Sequence, residues 1–269
     1  MTFRRTRFAV LGVAAFGLVS CGASDAPCTA DSGGAPGTIE APADCAVDSV
    51  VALDATGAIQ DRALARDAGS AALRAAEHTI TAGGHLRMVV FAGDANAVEV
   101  IYDDDVPTLA ELDETRRGPL EQDLRAALGE TVDSALGVSR ADPALTRRVR
   151  ALTRGGTSDI ARAVRNAVQS LKDRSGAATV TLVSDGVQAS DQLTLARRLQ
   201  AGDGVDDLGR QLGALLGSAD GVEVLQALGL GRLPGRVNQS ARRTDQLVQI
   251  WKTACEETGA KNCVTTTEL

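Results

Sequence analysis

Aromatic side chains are nearly missing from this 269-residue chain: Phe, Trp and Tyr together make 2%, with one Trp and one Tyr. Base-stacking platforms are therefore almost absent, which argues against single-stranded nucleic-acid binding, and the core must be built from Ala, Leu and Val. Proline is scarce, at 7 residues against 28 Gly, so a collagen-like or proline-rich extended body does not fit. A basic surplus is lacking too. The formal charge is −7, and without a cationic stripe to displace counterions a duplex DNA or RNA partner is disfavoured. The apolar run Phe8 to Val19 is about a dozen residues, short of the roughly 20 that a membrane-spanning helix needs. No CxxC pair, GxSxG elbow, HExxH helix or Walker loop is present. What remains, 44% hydrophobic and 23% charged, is the composition of a folded domain, and the length suits one large one.

Residues 1–20 pass from a basic start, Arg4, Arg5 and Arg7, through that apolar run to small residues before Cys21. This is the layout of an export signal, and Leu18-Val19-Ser20-Cys21 is similar to the bacterial lipobox, whose cysteine is lipidated and becomes the first mature residue. The plainer alternative is an ordinary secretory signal with an incidental Cys21. Loss of the leader removes three arginines and no acid, which makes the mature chain more acidic still. An acidic body is repelled by an anionic bilayer, so acyl chains on Cys21 are the evident attachment, on the extracytoplasmic side of the cell membrane. Residues 21–47 then read as the lipidated cysteine and a flexible Ala/Gly/Ser/Asp/Pro tether.

With Cys21 assigned to lipid, four cysteines remain in an oxidising compartment: Cys28, Cys45, Cys255 and Cys263. Four allow three connectivities. Closeness in sequence favours Cys28 with Cys45 and Cys255 with Cys263. A zinc site is the weaker reading, since neither His78 nor His85 lies near them. Both histidines flank a helix-to-strand connection, and a structural place suits them better than a catalytic one.

From residue 48 to 257 strands and helices alternate. Ser49 to Leu53 reads as a strand followed by an Ala-rich helix to about His78. Leu86–Phe91 and Val98–Tyr102 read as antiparallel neighbours joined by a turn at Gly93-Asp94-Ala95-Asn96. Leu124, Leu128, Val132 and Leu136 mark one face of a helix, and Ile160, Val164, Val168 and Leu171 mark another, opened by Gly155-Gly156-Thr157-Ser158-Asp159. Ala178–Val183 is the clearest buried strand. A helix from about Gln192 follows it, then Val222–Leu228 as the last strand, and then a helix carrying Leu247, Val248, Ile250 and Trp251. Residues 258–269 are left as a C-terminal tail. The acidic runs Asp103–Asp105 and Asp203, Asp206, Asp207 read as solvated loops. The alternation predicts an α/β fold: a doubly wound, mostly parallel sheet with helices on both faces and one antiparallel edge strand.

In such a sheet functional groups gather beyond the carboxyl ends of the strands. Asp54 and Thr56 follow the first strand, Thr157 precedes a helix, and Asp185 follows the strongest strand. Two carboxylates and two hydroxyls are hard oxygen donors suited to Mg²⁺ or Mn²⁺. Taken singly, Asp54, Asp185, Thr157 and Ser158 are also ordinary helix caps. Asp54-x-Thr56 lacks the second Asp that a haloacid dehalogenase needs, and Gly229-Leu-Gly231-Arg-Leu-Pro-Gly235 follows the last strand where a dinucleotide loop follows the first.

Asp54-Ala-Thr56-Gly-Ala58, Gly-Gly-Thr157-Ser-Asp-Ile and Leu-Val-Ser-Asp185-Gly, in that order, make residues 48–257 resemble the von Willebrand factor type A domain. The resemblance implies a metal-ion-dependent adhesion site built from Asp54, Thr56, Thr157 and Asp185, and a partner protein that offers an acidic side chain to the ion. Ala58 stands where that family has its second serine and contributes no oxygen. The implied role is therefore non-enzymatic protein binding through a degenerate cation site. Two further readings stay open: a metal-free scaffold of the same fold, and a solute-binding lipoprotein, for which one continuous domain offers no two-lobed cleft.

Overall fold

The computed structural model describes residues 46–93, 98–108, 112–155, 158–233 and 240–269. The leader, Cys21, the tether, Cys28, Cys45, most of the Gly93–Asn96 turn and Thr157 lie outside them.

Six strands form one sheet in the order β3-β2-β1-β4-β5-β6: β1 Val47–Asp54, β2 Gly84–Phe91, β3 Val98–Val106, β4 Ala177–Val183, β5 Val222–Leu228 and β6 Asn262–Thr266. Every neighbouring pair is parallel except β2 with β3. This is the doubly wound α/β architecture, with its antiparallel strand at an edge. β1, β4 and β5 are buried at every position, as strands covered on both faces must be, and their near-continuous apolar runs follow from that.

The sheet gains one strand beyond those legible in the sequence. Asn262–Thr266 pairs with β5, Leu228 standing opposite Thr266, so the stretch read as a tail is part of the sheet. Asn-Cys-Val-Thr-Thr is short and shows no alternation, which is why its pattern carries no strand signal. The disulfide between Cys255 and Cys263, with Cα atoms 5.9 Å apart, ties this edge strand to the helix that precedes it.

Helices cover both faces. On one, α5 (Ile160–Ser170), α7 (Val205–Leu216) and α8 (Ala241–Glu257) bury Ile160, Val164, Leu208, Leu212, Ile250 and Trp251. On the other lie α2 (Arg62–Ala82), α3 (Glu114–Ala135) and α4 (Pro143–Leu152). There α2 buries Ala65, Ala68, Ala71, Ala72, Ala75 and Ala76, so the abundant alanine serves as a thin lining that lets the helix lie close to β1. Leu128, Val132 and Leu136 are buried, whereas Leu120 is exposed.

Asp103 to Asp105 depart from the loop reading. β3 runs through them, and antiparallel pairing sets Asp103 opposite Arg87 and Asp105 opposite His85. His85 is buried, with Nδ1 at 2.9 Å from Asp105 Oδ1 and Nε2 at 3.0 Å from Asp103 Oδ1. Cross-strand charge pairing holds these carboxylates in a ladder, and an acidic edge strand resists pairing with other chains. His85 accordingly has a structural place.

Where α7 meets α8 the contact is set by glycine: a Cβ on Gly209 would stand 2.5 Å from Thr253 Cβ and 3.1 Å from the Ile250 carbonyl oxygen. Gly209→Ala is therefore expected to destabilise the fold by about 1–3 kcal/mol despite the better helix propensity of alanine. By contrast, Gly129→Ala in α3 meets only Leu73 at an ordinary 3.7 Å and should gain about 0.5–1 kcal/mol. Urea midpoints of the two variants check the pair; a stabilised Gly209→Ala protein would show that the helices are not packed this closely.

Candidate functional site

The chain leaves β1 outward through β2 and β3, then returns to the other side of β1 for β4, so strand order reverses between β1 and β4. Loops leaving such a switch point part and open a crevice at the carboxyl ends of the strands. The parallel register sets Leu53 beside Val183. The residues that follow, Asp54 on one strand and Ser184-Asp185 on the other, are therefore carried to the same rim.

Asp54 is buried and fully engaged. Its Oδ1 accepts the Thr56 backbone N–H at 2.9 Å, which caps the four-residue α1 (Ala55–Ala58). Its Oδ2 accepts two hydroxyls, from Ser158 at 2.8 Å and Ser184 at 2.9 Å. Thus two loops, each more than a hundred residues further along the chain, meet on the Asp54 carboxylate. Asp185 lines the same crevice with Asp54, Ala58 and Ser184, and its Oδ1 accepts the Val187 N–H at 2.8 Å. Its carboxyl is pushed up to about 7 from the ordinary 3.8, first by burial and then by the charge of Asp54, with the Val187 N–H working against both.

The loops around the pair are tied down from behind. Gly93 bridges to Ser158, and Asp159 donates its N–H to the Gly93 carbonyl at 3.0 Å. The buried Gln188 accepts the Ala161 N–H at 2.9 Å and donates to Asp159 Oδ1 at 2.9 Å, locking the loop after β4 to the start of α5. Gly186 has φ +75°, and a Cβ there would stand 2.4 Å from Leu230 Cδ2. Its carbonyl accepts Trp251 Nε1–H at 2.9 Å. The single tryptophan thus sits directly beneath the Asp185 loop.

Of the four residues singled out in the sequence, Asp54 and Asp185 come together, and Thr56 lies two residues beyond Asp54 with its Oγ1 buried and without a hydrogen-bond partner among the described residues. Thr157 lies outside the described residues. Ser158 and Ser184 are additions. The helix cap that Ser158 was expected to supply comes instead from Asp159, which accepts the Arg162 N–H. Ser158 and Ser184 stand within the quoted motifs, but only the closure of the rim reveals that both hydroxyls point at Asp54.

Asp54, Asp185 and Ser184 supply the side-chain oxygens on the crevice wall, which Arg232 also lines, and two carboxylates on one wall are the hard donors that a small divalent cation takes. The free space in the crevice is about 20 Å³, room for one body the size of a water. Among the described residues no group of three or more His, Cys, Asp or Glu is arranged to hold a metal ion. The donor set on the crevice wall is thus two carboxylates and the Ser184 hydroxyl, and Ala58 adds nothing to it.

No protein-family model matches the chain, and no curated protein does. Among solved structures, proximal thread matrix protein 1 from the mussel byssus is similar at 14% identity and a TM-score of 0.40, over 84% of this chain and 44% of that one. The chain spans less than half of that protein, and a likeness at this level carries no argument.

A carboxyl whose folded-state value is raised holds its proton more tightly in the native protein than in the unfolded chain. Its penalty is absent below about pH 4 and grows as pH rises through about 7. Asp185→Asn keeps an acceptor for Val187 and removes the penalty. Its stability advantage should rise across about pH 4 to 7 and then level off at roughly 2 kcal/mol, after allowing for the solvent that the partly exposed carboxylate retains. Urea denaturation at a series of pH values tests this, and parallel curves for the two proteins would contradict it.

Proposed function

We propose that this chain is a lipid-anchored extracytoplasmic protein of the von Willebrand factor A type that binds another protein at the rim crevice, with Mg²⁺ or Mn²⁺ as its cofactor. The observation that carries this reading is that Asp54 and Asp185 line one crevice at the switch point. Asp185 and Asp54 would supply charge, while Thr56, Thr157 and Ser158 would supply neutral oxygens. A bound divalent cation contributes a Lewis-acidic point that accepts a carboxylate oxygen from the partner, in exchange for water. The role of the chain's own residues is to preorganise: Ser158 and Ser184 hold Asp54 in place, and Val187 orients Asp185. We assign no catalytic residue, and the role is one of binding.

Attachment rests on the leader and on lipidation of Cys21, with the residues from Cys21 to the start of β1 as the tether; Val47, at the end of the stretch read as tether, is buried in β1. No helix among the described residues is long and apolar enough to cross a membrane. A second reading, a scaffold of the same fold that binds its partner without metal, is favoured by one observation: the missing oxygen at Ala58, which lines the crevice.

Thermal melting with Mg²⁺ or chelator separates the two. At a concentration tenfold above its dissociation constant the cation should raise the melting temperature by about 2–4 °C. Asp185→Ala should erase that rise, and Ala58→Ser should lower the Mg²⁺ concentration needed for it. Identical melting with Mg²⁺ and chelator in the unaltered protein would leave the metal-free scaffold as the surviving reading.

A further inference from the structure

The crevice beside Asp54 and Asp185 is closed on one side by the last residue of β6 and the residues that follow it. Three successive carbonyls of this strap are held: Leu230 N–H donates to Thr266 at 3.1 Å, Arg232 Nε to Thr267 at 3.0 Å, and Gly229 N–H to Glu268 at 2.9 Å. Leu269 then enters the crevice opposite Gly57, Ala58, Leu64 and Ala68 and packs on the core between sheet and α2. Gly229, at φ +83°, makes room for it, because a Cβ there would stand 2.5 Å from Leu269 Cδ2.

This is how a groove reads an extended peptide. Main-chain groups give affinity without regard to sequence, and one pocket selects a side chain. Glu268 is exposed and Leu269 half-buried, so in the strap the selecting side chain is aliphatic. With Leu269 seated, only about 20 Å³ of the crevice is left, too little for any second side chain. We propose that the rim crevice is a binding groove for an extended peptide bearing an aliphatic residue, and that residues 267–269 are its intramolecular occupant, which a partner peptide of the same pattern must displace. The groove needs no cation, so it stands or falls apart from the metal reading.

The test is amide hydrogen exchange at Gly229 and Leu230, in chelator, on three proteins: the full chain, the full chain with Leu269→Ala, and the chain ended at Thr265. The probe is the synthetic peptide acetyl-Thr-Thr-Glu-Leu, which reproduces residues 266–269. Both altered proteins should exchange at these amides about tenfold faster than the unaltered chain, while the amides of Val180 and Leu182 in β4 keep their protection. Millimolar peptide should restore slow exchange in the chain ended at Thr265, and acetyl-Thr-Thr-Glu-Ala should not. Unchanged exchange in both altered proteins overturns the strap as occupant. Restoration by both peptides, or by neither, overturns the aliphatic groove. Should the shortened chain lose protection in β4 as well, the Leu269→Ala protein decides, since its vacated pocket must take up the leucine peptide and ignore the alanine one.

Discussion

Two carboxylates held side by side at the reversal of a parallel sheet set the terms for everything around them. The register of β1 against β4 brings Asp54 and Asp185 to one rim whatever their side chains prefer. Burial first, and then the charge of Asp54, push the Asp185 carboxyl far above its ordinary range. The surroundings look arranged to tolerate this. Two serine hydroxyls and one backbone N–H neutralise Asp54 by hydrogen bonding, and a second N–H steadies Asp185. A carboxyl raised by burial in a crevice, beside a second carboxylate, marks this rim as the candidate functional site.

That rim is rigid because its support is thick. Gly186, Trp251 and Leu230 interlock below the Asp185 loop, and Gln188 pins the same loop to α5. At the opposite end of the sheet buried Asp48 accepts the N–H groups of His85 and Gly176 at 2.8 Å each, which joins the starts of β1, β2 and β4. A buried network runs from Thr79 of α2 through Ser49 of β1 to Thr179 of β4, with oxygens 2.7 and 2.6 Å apart. Polar groups inside this sheet thus fasten strands to one another, and alanine and glycine let helices lie close against it. A core poor in aromatics becomes tight through short interaxial distance instead of bulk.

Much of the architecture was legible because strong local patterns coincide with structure. β1, β4 and β5 are mostly apolar and buried throughout, and α5 with its C-cap presents Ile160, Val164, Val168 and Leu171 on one buried face. Weak patterns failed where tertiary contact supplies the ordering. β6 has no apolar alternation, and is held by β5 and a disulfide to α8. Asp103 to Asp105 looked like a loop because charge runs usually are solvated, yet Arg87, Arg174 and His85 wait across the pairing and beside it. At the site, Asp54 and Asp185 could be picked out by their places after strands. Ser158 and Ser184 could not: a serine near a helix start, as Ser158 is, reads as a cap, and one just past a strand, as Ser184 is, reads as a loop residue, until another segment arrives to accept its hydrogen.

The amino-acid sequence alone determined the class of fold, the alternation of strands and helices, the acidic and aromatic-poor character, and which loops would sit at the carboxyl ends of strands. These follow from local periodicity and composition, which a chain carries at every point along its length. Only the tertiary structure decided that Asp54 would accept hydroxyls from Ser158 and Ser184, over a hundred positions away, that Thr56 would keep a buried oxygen without a partner among the described residues, and that Leu269 would close the crevice beside Asp54. Those are relations between distant segments, and they exist only once the sheet has set its order and register.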